Sequence, residues 1–501
     1  MTDGRSEPLW TPSGPGVGHS GHMRRILIGT AIMAACSAGF ALSGDLDTNR
    51  VRLAVVMVVW WVIAVATIRW VVGRRGTDSA ASLADGSVRR TALLVFVVAL
   101  VVQLPGLLTS PRSSSDAYRY VWDGRVQLSG TSPYRYAPLD DRLADLRDPV
   151  LFPGLGSGDR SGYVTQPLPT DRSGVRDRAT NDPRTVINRP QVPTIYPPVA
   201  QAWFTAVAAV TPWSWGTRGL QAGSAMLAAG VAAALAALLR RRGSDPGRAL
   251  WWAWCPAVVA EAGNGAHVDV LAAAFVVVAL AVVSPAVGGA RRGRGAAVLA
   301  GVMTGLATLV KLYPAVVLSS LFSLRHNAAR ALAAVAAAVL TVLLAYLPHW
   351  LAAGDLVLGY LPAYVVEESG ANRSGIVQLL VPDAAVTPVT ILLLAVVAGA
   401  VAWSRVRDPA LGATLILGSL LLLTTPSYPW YALPMLACAV LAGRLEWLAV
   451  ALAAVLAYAS ASVPPVPTMA YAVSAAFVLA AGWRRAPFTA GLVTRFSRRF
   501  G

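Results

Sequence analysis

The chain has 501 residues, 55% of them hydrophobic and 13% charged, with a mean hydropathy of +0.56 and a formal net charge of +17. That balance excludes a disordered, collagen-like or ordinary soluble protein and makes a bilayer the expected solvent. The positive charge is not a nucleic-acid stripe, because the arginines fall in short clusters between apolar runs, among them Arg24-Arg25, Arg74-Arg75, Arg240-Arg241-Arg242 and Arg498-Arg499. Clusters of that kind mark cytoplasmic loops. Lys311 is the one lysine among the 42 basic residues. Cys36, Cys255 and Cys438 lie in apolar runs without pairing or metal-ligand spacing, so neither a disulfide framework nor a zinc site is indicated.

Residues 1–24, rich in Gly, Ser and Pro, are predicted as a disordered cytoplasmic tail. Apolar runs then recur from Ile26 to Trp483, and about 20 apolar residues in a helix cross ~30 Å of hydrocarbon. Only helices fit, because backbone polar groups in lipid must be satisfied within their own segment and no alternating barrel pattern occurs. With the N-terminus inside, helices are predicted near 26–43, 52–72 and 92–109, the first two forming an addition (25–90) ahead of a core at 91–442. At Ser110 the chain emerges on the outer face into a long polar segment, 110–195, holding ten Asp and twelve Arg. Structureless loops of such length are commonly functional.

Residues 196–212 read as a juxtamembrane or re-entrant helix at the outer interface, since a span there would turn Arg240-Arg241-Arg242 outward. Further helices are predicted near 219–239, 249–262, 266–286, 296–311, 313–324, 331–350, 384–404, 410–425 and 430–442. Two more, near 445–461 and 468–483, make a C-terminal segment at 443–485 before a basic cytoplasmic tail at 486–501. The expected fold class is an all-α polytopic membrane bundle of about fourteen transmembrane helices with both termini cytoplasmic.

In this topology the polar groups outside the arginine frame collect on one extracytoplasmic face: Asp116 to Arg189, Glu261 to Asp269, Lys311 to Pro314, His349 to Arg373, and Thr425 to Tyr431. Charges at membrane depth are costly and usually belong to a site. If the stretch after Ser115 is helical, Asp116, Arg119, Tyr120 and Asp123 share a face. The carboxylate could deprotonate an acceptor hydroxyl as general base, or the four residues could form a solvated ion-pair network. Asn188-Arg189-Pro190 and Pro193 to Pro198 force extended backbone, a rigid strap that can also wall a site. His267 and Asp269, in the polar hairpin with Glu261, could contact phosphate or sugar, or bind a divalent cation. Lys311 stands against the positive-inside trend, and a compact cation in a sheltered pocket suits a phosphate. Among the loop charges His349, Glu367, Glu368 and Arg373, the fork of Arg373 is the best phosphate partner. Trp430 and Tyr431 fit an aromatic belt as readily as a site. No Walker loop or glycine-rich dinucleotide fingerprint occurs, which argues against an ATPase or a sugar-nucleotide enzyme.

Several motifs occur in a telling order: Asp-Ala-Tyr-Arg-Tyr-Val-Trp-Asp-Gly-Arg at 116–125, Ser-Pro-Tyr-Arg-Tyr-Ala-Pro at 132–138, Pro-Thr-Ile-Tyr-Pro-Pro at 193–198, and His267-Val268-Asp269. After them come Gly305-Leu306-Ala307, Lys311-Leu312-Tyr313-Pro314 and Tyr428-Pro429-Trp430-Tyr431. Together they resemble the bacterial GT-C glycosyltransferases, above all the polyprenyl-phosphate-mannose-dependent mannosyltransferases of actinobacterial envelope synthesis, including the glycosyltransferase 87 group.

The resemblance implies a plasma-membrane enzyme with an extracytoplasmic site. It would move a sugar, expected to be mannose, from a polyprenyl-phosphate donor to a lipid or polysaccharide acceptor by inverting displacement. The family's acidic residue at the start of the first outer loop maps to Asp116 as catalytic base, with Asp123 a second candidate. Lys311 is carried over as a donor-phosphate contact, with Arg373 and His267 beside it. Tyr118, Arg119, Tyr120, Arg125, Tyr196, Asp269, Tyr313, His349 and Tyr428 complete the candidate substrate-binding set. No metal ligands are assigned, and a divalent cation is left open. The expected partners are the lipid-linked donor, a glycolipid or glycan acceptor and the bilayer, with no nucleic acid. The chain departs from the family in its two additional N-terminal helices and in an insertion at about 150–185 rich in Gly, Asp and Arg. A transporter or flippase of a lipid-linked glycan is the alternative, but the paired inverted repeats common in transporters are not seen.

Overall fold

The computed structural model describes residues 17–44, 46–73, 87–160, 182–284, 293–364, 374–404, 408–461, 463 and 465–485, and every regular element among them is helical. Arg373, Glu367, Glu368 and Asn372 lie outside the described residues, as does 161–181 of the expected insertion. Three helices come first: α1 (Val17–Ala41), which begins inside the segment predicted as a tail, α2 (Leu46–Val72) and α3 (Val88–Gln103). Then α4 (Asp116–Leu128) opens the polar segment, α5 (Pro198–Val210) closes it, and α6 (Arg218–Arg241) returns through the bundle.

Seven helical stretches among the described residues are long and apolar enough to cross a membrane, and eight if the bent pair Pro256–Asn264 and Asp269–Val283 is one span. This is fewer than the expected fourteen, because breaks cut several apolar runs into pieces too short to cross ~30 Å. The run expected at 249–262 consists of a 3₁₀ turn, two short helical turns and a π-turn at Val259–Asn264, and 313–324 is likewise two short turns. The 119° bend follows the π-turn, where Ala266 takes a positive φ of 55°, a local device that hydropathy does not register. Near His349, set both at the end of the expected helix 331–350 and at the start of the outer loop, the helix Leu324–Ala353 runs on despite Pro348.

Past the bend come α7 (Asp269–Val283), α8 (Arg294–Thr308) and α9 (Leu324–Ala353). Gly301 and Gly305 of α8 lie against the backbone of Ala334 and Ala338 in α9, leaving no room for a Cβ at either glycine. Small residues of this kind let helix backbones touch where no hydrophobic force drives helices together in lipid. The outward faces of α9 and of α10 (Asp383–Trp403) carry exposed Leu340, Leu343, Leu344, Ile391 and Leu392. So wide an apolar surface suits hydrocarbon and not water. The last four helices are α11 (Pro409–Thr424), α12 (Leu433–Ala442), α13 (Leu448–Ala459) and α14 (Val466–Arg485).

The arginine-bearing helix ends are tied to one another. Arg240 donates to Thr91 at 3.1 Å, Arg242 to Ser284 at 3.2 Å and to Asp408 at 3.1 Å, and Arg485 to Glu446 at 3.0 Å. The first three bonds join the start of α3, the end of α6, the end of α7 and the start of α11 at one end of the bundle, and the last joins the end of α14 to the turn at Glu446.

At the other end, the polar segment folds over α4 and α5 on its own aromatic core. Tyr120 stacks on Phe204 at 4.3 Å between ring centroids, and Trp122 meets Phe152 edge-on at 4.9 Å. The two helices cross at Gly124, where an added Cβ would lie 2.5 Å from the Phe204 carbonyl oxygen. Gly124→Ala is therefore expected to cost about 1–3 kcal/mol through overpacking, read as a lower thermal midpoint in detergent. Gly230→Ala, with nothing within 4 Å of the new methyl, is expected to leave the midpoint unchanged or raise it.

Candidate active site

Asp116 stands in the first turn of α4, where unpaired backbone N–H groups favour a negative charge. Its Oδ1 accepts from the Asn188 amide at 2.5 Å, and its Oδ2 accepts from the Tyr196 hydroxyl at 3.2 Å and the Tyr120 hydroxyl at 3.4 Å. Burial, and then the Asp116 charge, pushes both phenols well above their ordinary range. They remain protonated donors to the carboxylate.

Tyr196 arrives on the proline strap. Pro197 and Pro198 preset the start of α5, and the first free N–H groups of that helix, at Val199 and Ala200, donate to the Leu309 carbonyl at 3.1 and 3.3 Å. Leu309 follows α8 directly, so the strap is moored beside Lys311. The Lys311 ammonium sits over the Tyr196 ring at 5.1 Å and over the Tyr431 ring at 4.9 Å, with Asp269 Oδ2 at 3.9 Å. Tyr313 donates to Asp269 Oδ1 at 3.1 Å. Aromatic faces and a carboxylate offset the cost of withdrawing the ammonium from water.

Asp116, Tyr118, Arg119, Tyr196, Lys311 and Tyr428 all line one cavity of about 740 Å³, together with Asn188, Arg189, Trp430 and Tyr431. That volume holds more than one sugar ring alongside water. Tyr428 stacks on Trp430 at 5.0 Å. Tyr360 and Tyr364 close another wall, with the Arg189 guanidinium 5.7 and 5.3 Å from their rings. At the rim, the Arg184 guanidinium holds the Asp182 carboxyl below its ordinary range.

The other expected residues stand off the cavity. Asp123 is buried with both oxygens occupied: Oδ1 by Arg119 Nε at 2.9 Å, Oδ2 by the Thr194 hydroxyl at 2.6 Å and the Gln201 amide at 3.0 Å. Arg119 spends its remaining donors on the Arg189 and Val192 carbonyls of the strap, at 3.3 and 3.1 Å. Arg125 pairs with Asp148, donates to the Trp213 carbonyl at 2.8 Å and lies over the Trp213 ring at 4.6 Å. Burial lowers its pKa, and the Asp148 charge opposes that shift. His349 meets Tyr134 edge-on at 5.3 Å, and Tyr134 in turn donates to the Tyr196 carbonyl at 2.8 Å. His267 is fully buried under Trp430, stacked at 3.8 Å.

Sequence reasoning passed over Tyr458, Arg112 and Gln201. Tyr458 lines the cavity from α13 and donates to the Ser113 carbonyl at 2.7 Å, while Arg112 donates to the Ala41 carbonyl at 2.8 Å. The cavity thus draws on helices both before and after 91–442. A lone hydroxyl near the end of an Ala/Leu helix, and a lone amide in α5, were the available signals. Among the described residues no group of three or more His, Cys, Asp or Glu side chains is arranged to hold a metal ion.

Two family models match the chain on either side of the insertion. Residues 25–148 match the N-terminal domain of the alpha-(1->6)-mannopyranosyltransferase family. This stretch takes in the two leading helices and the whole of α4 with Asp116. Residues 194–426 match glycosyltransferase family 87, from Thr194 of the strap to the break before Tyr428. No curated protein and no solved structure matches. A helical membrane bundle whose buried polar cavity takes Asp116, Tyr196 and Lys311 from these two matches is a membrane glycosyltransferase, and its activity is that of a mannosyltransferase. The chain belongs to glycosyltransferase family 87 and carries the mannopyranosyltransferase N-terminal domain.

The two aspartates of α4 are separable by experiment. Asp123→Ala leaves the Arg119 guanidinium buried without its carboxylate and is expected to cost about 3–5 kcal/mol, seen as a fall in thermal midpoint and in folded yield. Asp116→Asn keeps the shape of a side chain at the edge of the cavity, and its melting curve is expected to stay within about 1 kcal/mol of wild type.

Proposed function

We propose that this mannosyltransferase takes mannose from a polyprenyl-phosphate donor and passes it to a hydroxyl of a lipid or glycan acceptor, with Asp116 as general base and Lys311 on the donor phosphate. Tyr196 carries this reading. One side chain puts its hydroxyl on the Asp116 carboxylate at 3.2 Å and its ring under the Lys311 ammonium at 5.1 Å, holding base and cation on the two ends of a rigid spacer. A lipid-phosphate sugar already bears an activated leaving group. Asp116 removes the acceptor proton as the oxygen attacks the anomeric carbon, and Lys311 stabilises the phosphate charge that grows as the glycosidic C–O bond breaks. A single displacement of this kind inverts the anomeric centre. Asp269 and Tyr313 keep the ammonium in place, and Arg373 is the second proposed phosphate contact. Tyr118, Tyr428, Trp430 and Tyr431 offer ring faces to sugar. Asp123, Arg119 and Arg125 act by shaping the loop that presents Asp116.

We place the cavity on the extracytoplasmic side of the cell membrane and both termini in the cytoplasm. The support is the tying of the arginine-bearing helix ends at the end of the bundle away from the cavity. Four of the five shorter apolar helices, all but the interfacial Pro198–Val210, serve as partial crossings, which brings the membrane-embedded helices toward the expected fourteen.

Transfer from radiolabelled polyprenyl-phosphate mannose in membranes tests the roles. Asp116→Asn is expected to lower kcat by about 10²–10⁴-fold, and Lys311→Ala to weaken use of the donor by about 10–100-fold, the worth of one charge-assisted contact. Full activity of a well-folded Asp116→Asn protein contradicts the base assignment. Orientation is tested at Ser157, exposed in the polar segment. Ser157→Cys is expected to react with an impermeant maleimide from outside the cell, and labelling only after the membrane is opened contradicts the topology.

A further inference from the structure

Glu261 and His267, both buried in the hairpin between the two halves of the bent pair, have no part in the reaction as derived so far. The imidazole is fixed on three sides. Its Nδ1 lies 2.9 Å from Glu261 Oε2, the His267 backbone N–H donates to the Glu261 carbonyl at 2.8 Å, and the ring lies flat on Trp430 with 12° between planes. Gly265 makes the room, since a Cβ there would come 2.6 Å from Nδ1. Glu261 is held in turn by the Ser113 hydroxyl at 3.4 Å. The opposite ring nitrogen, Nε2, is buried with no hydrogen-bond partner, and it faces Asp116 Oδ2 at 4.0 Å. Packing alone does not leave a buried imidazole nitrogen orphaned and aimed at a carboxylate.

We propose that Glu261 and His267 are positioning residues for Asp116: the Glu261 carboxylate accepts from Nδ1–H and so anchors the ring, and Nε2–H of the same doubly protonated imidazole closes onto Oδ2 when the acceptor hydroxyl engages the carboxylate. Bonds of this kind are often long in the empty enzyme and tighten in the reactive complex. A base oriented by a second group that is itself oriented by a third is a recurrent arrangement for activating a nucleophile. The donors divide the carboxylate unequally. Oδ2 takes Tyr120, Tyr196 and the imidazole, while Oδ1 takes the Asn188 amide. Oδ1 thereby keeps a lone pair toward the acceptor and is the oxygen that receives its proton, while the imidazole neither gains nor loses one. The inference rests on Asp116 being the base.

The test is steady-state transfer from polyprenyl-phosphate mannose to a synthetic alkyl mannoside by full-length protein in detergent. It compares Glu261→Gln, which is isosteric and keeps the fold, with His267→Gln, the double variant and Asp116→Asn. Loss of the hold on the carboxylate is expected to lower kcat on the order of 10-fold to 100-fold, the scale of an ångström of misplacement, with donor KM within about twofold. The double variant is expected to be no slower than His267→Gln alone, because the two residues act as one unit. A raised donor KM with kcat kept would make His267 a phosphate contact and overturn the inference. Additive losses overturn it too. Wild-type kinetics in Glu261→Gln and His267→Gln beside an inactive Asp116→Asn overturn the inference and leave the base intact. An active Asp116→Asn removes the base reading itself.

Discussion

Arg119 and Asp123 form an ion pair withdrawn from water on the inner face of one short helix, and the geometry of the cavity hangs on it. An isolated charge there would be prohibitively costly, so every remaining donor and acceptor of the pair must find a partner. The partners are backbone carbonyls at Arg189 and Val192, the Thr194 hydroxyl and the Gln201 amide. All four lie on the strap and the interfacial helix that follows it. Satisfying one buried charge pair therefore fastens the far end of a loop of some seventy residues onto its beginning. Tyr196 is left between Asp116 and Lys311, and replacing the pair would loosen the site without touching a reacting atom.

The same economy governs Lys311. Every other basic residue is an arginine, whose forked guanidinium would span the two rings that the compact ammonium sits over. Tyr196, Tyr431 and Asp269 surround the cation closely enough to hold it but leave it partly open to the cavity. In the proposed reaction, an anion entering the cavity meets a positive charge already oriented, so little reorganisation is left for the moment when the phosphate takes up charge. The family matches give a mannosyltransferase, and the proposed role of Lys311 is argued from the cavity alone.

Much of this was legible in the chain because it is local. The shared face of Asp116, Arg119, Tyr120 and Asp123 follows from helical spacing, the interfacial helix from its Pro-Pro start, and the polar hairpin from charges interrupting an apolar run. The membership of each residue in the site was less so. Spacing gave Asp116 and Asp123 the same standing, and only partners more than seventy residues away in the chain separate them. The number of crossings is less legible for a related reason. Hydropathy counts apolar residues but does not see a π-turn, a left-handed Ala266 or the Pro256 and Pro314 turns that shorten the helices. Pro348 does not end its helix, which runs on through His349 to Ala353.

In the proposed reaction the Asp116 carboxylate and the Lys311 cation for the leaving phosphate, held on the two ends of Tyr196, act in one displacement. The most direct test is the anomeric configuration of the product, read by nuclear magnetic resonance, when a donor of known configuration is turned over by purified protein. The opposite configuration in the first-formed product is the expected result. Retained configuration would mean either two displacements through a covalent sugar or attack from the face of the departing phosphate, and would contradict the account.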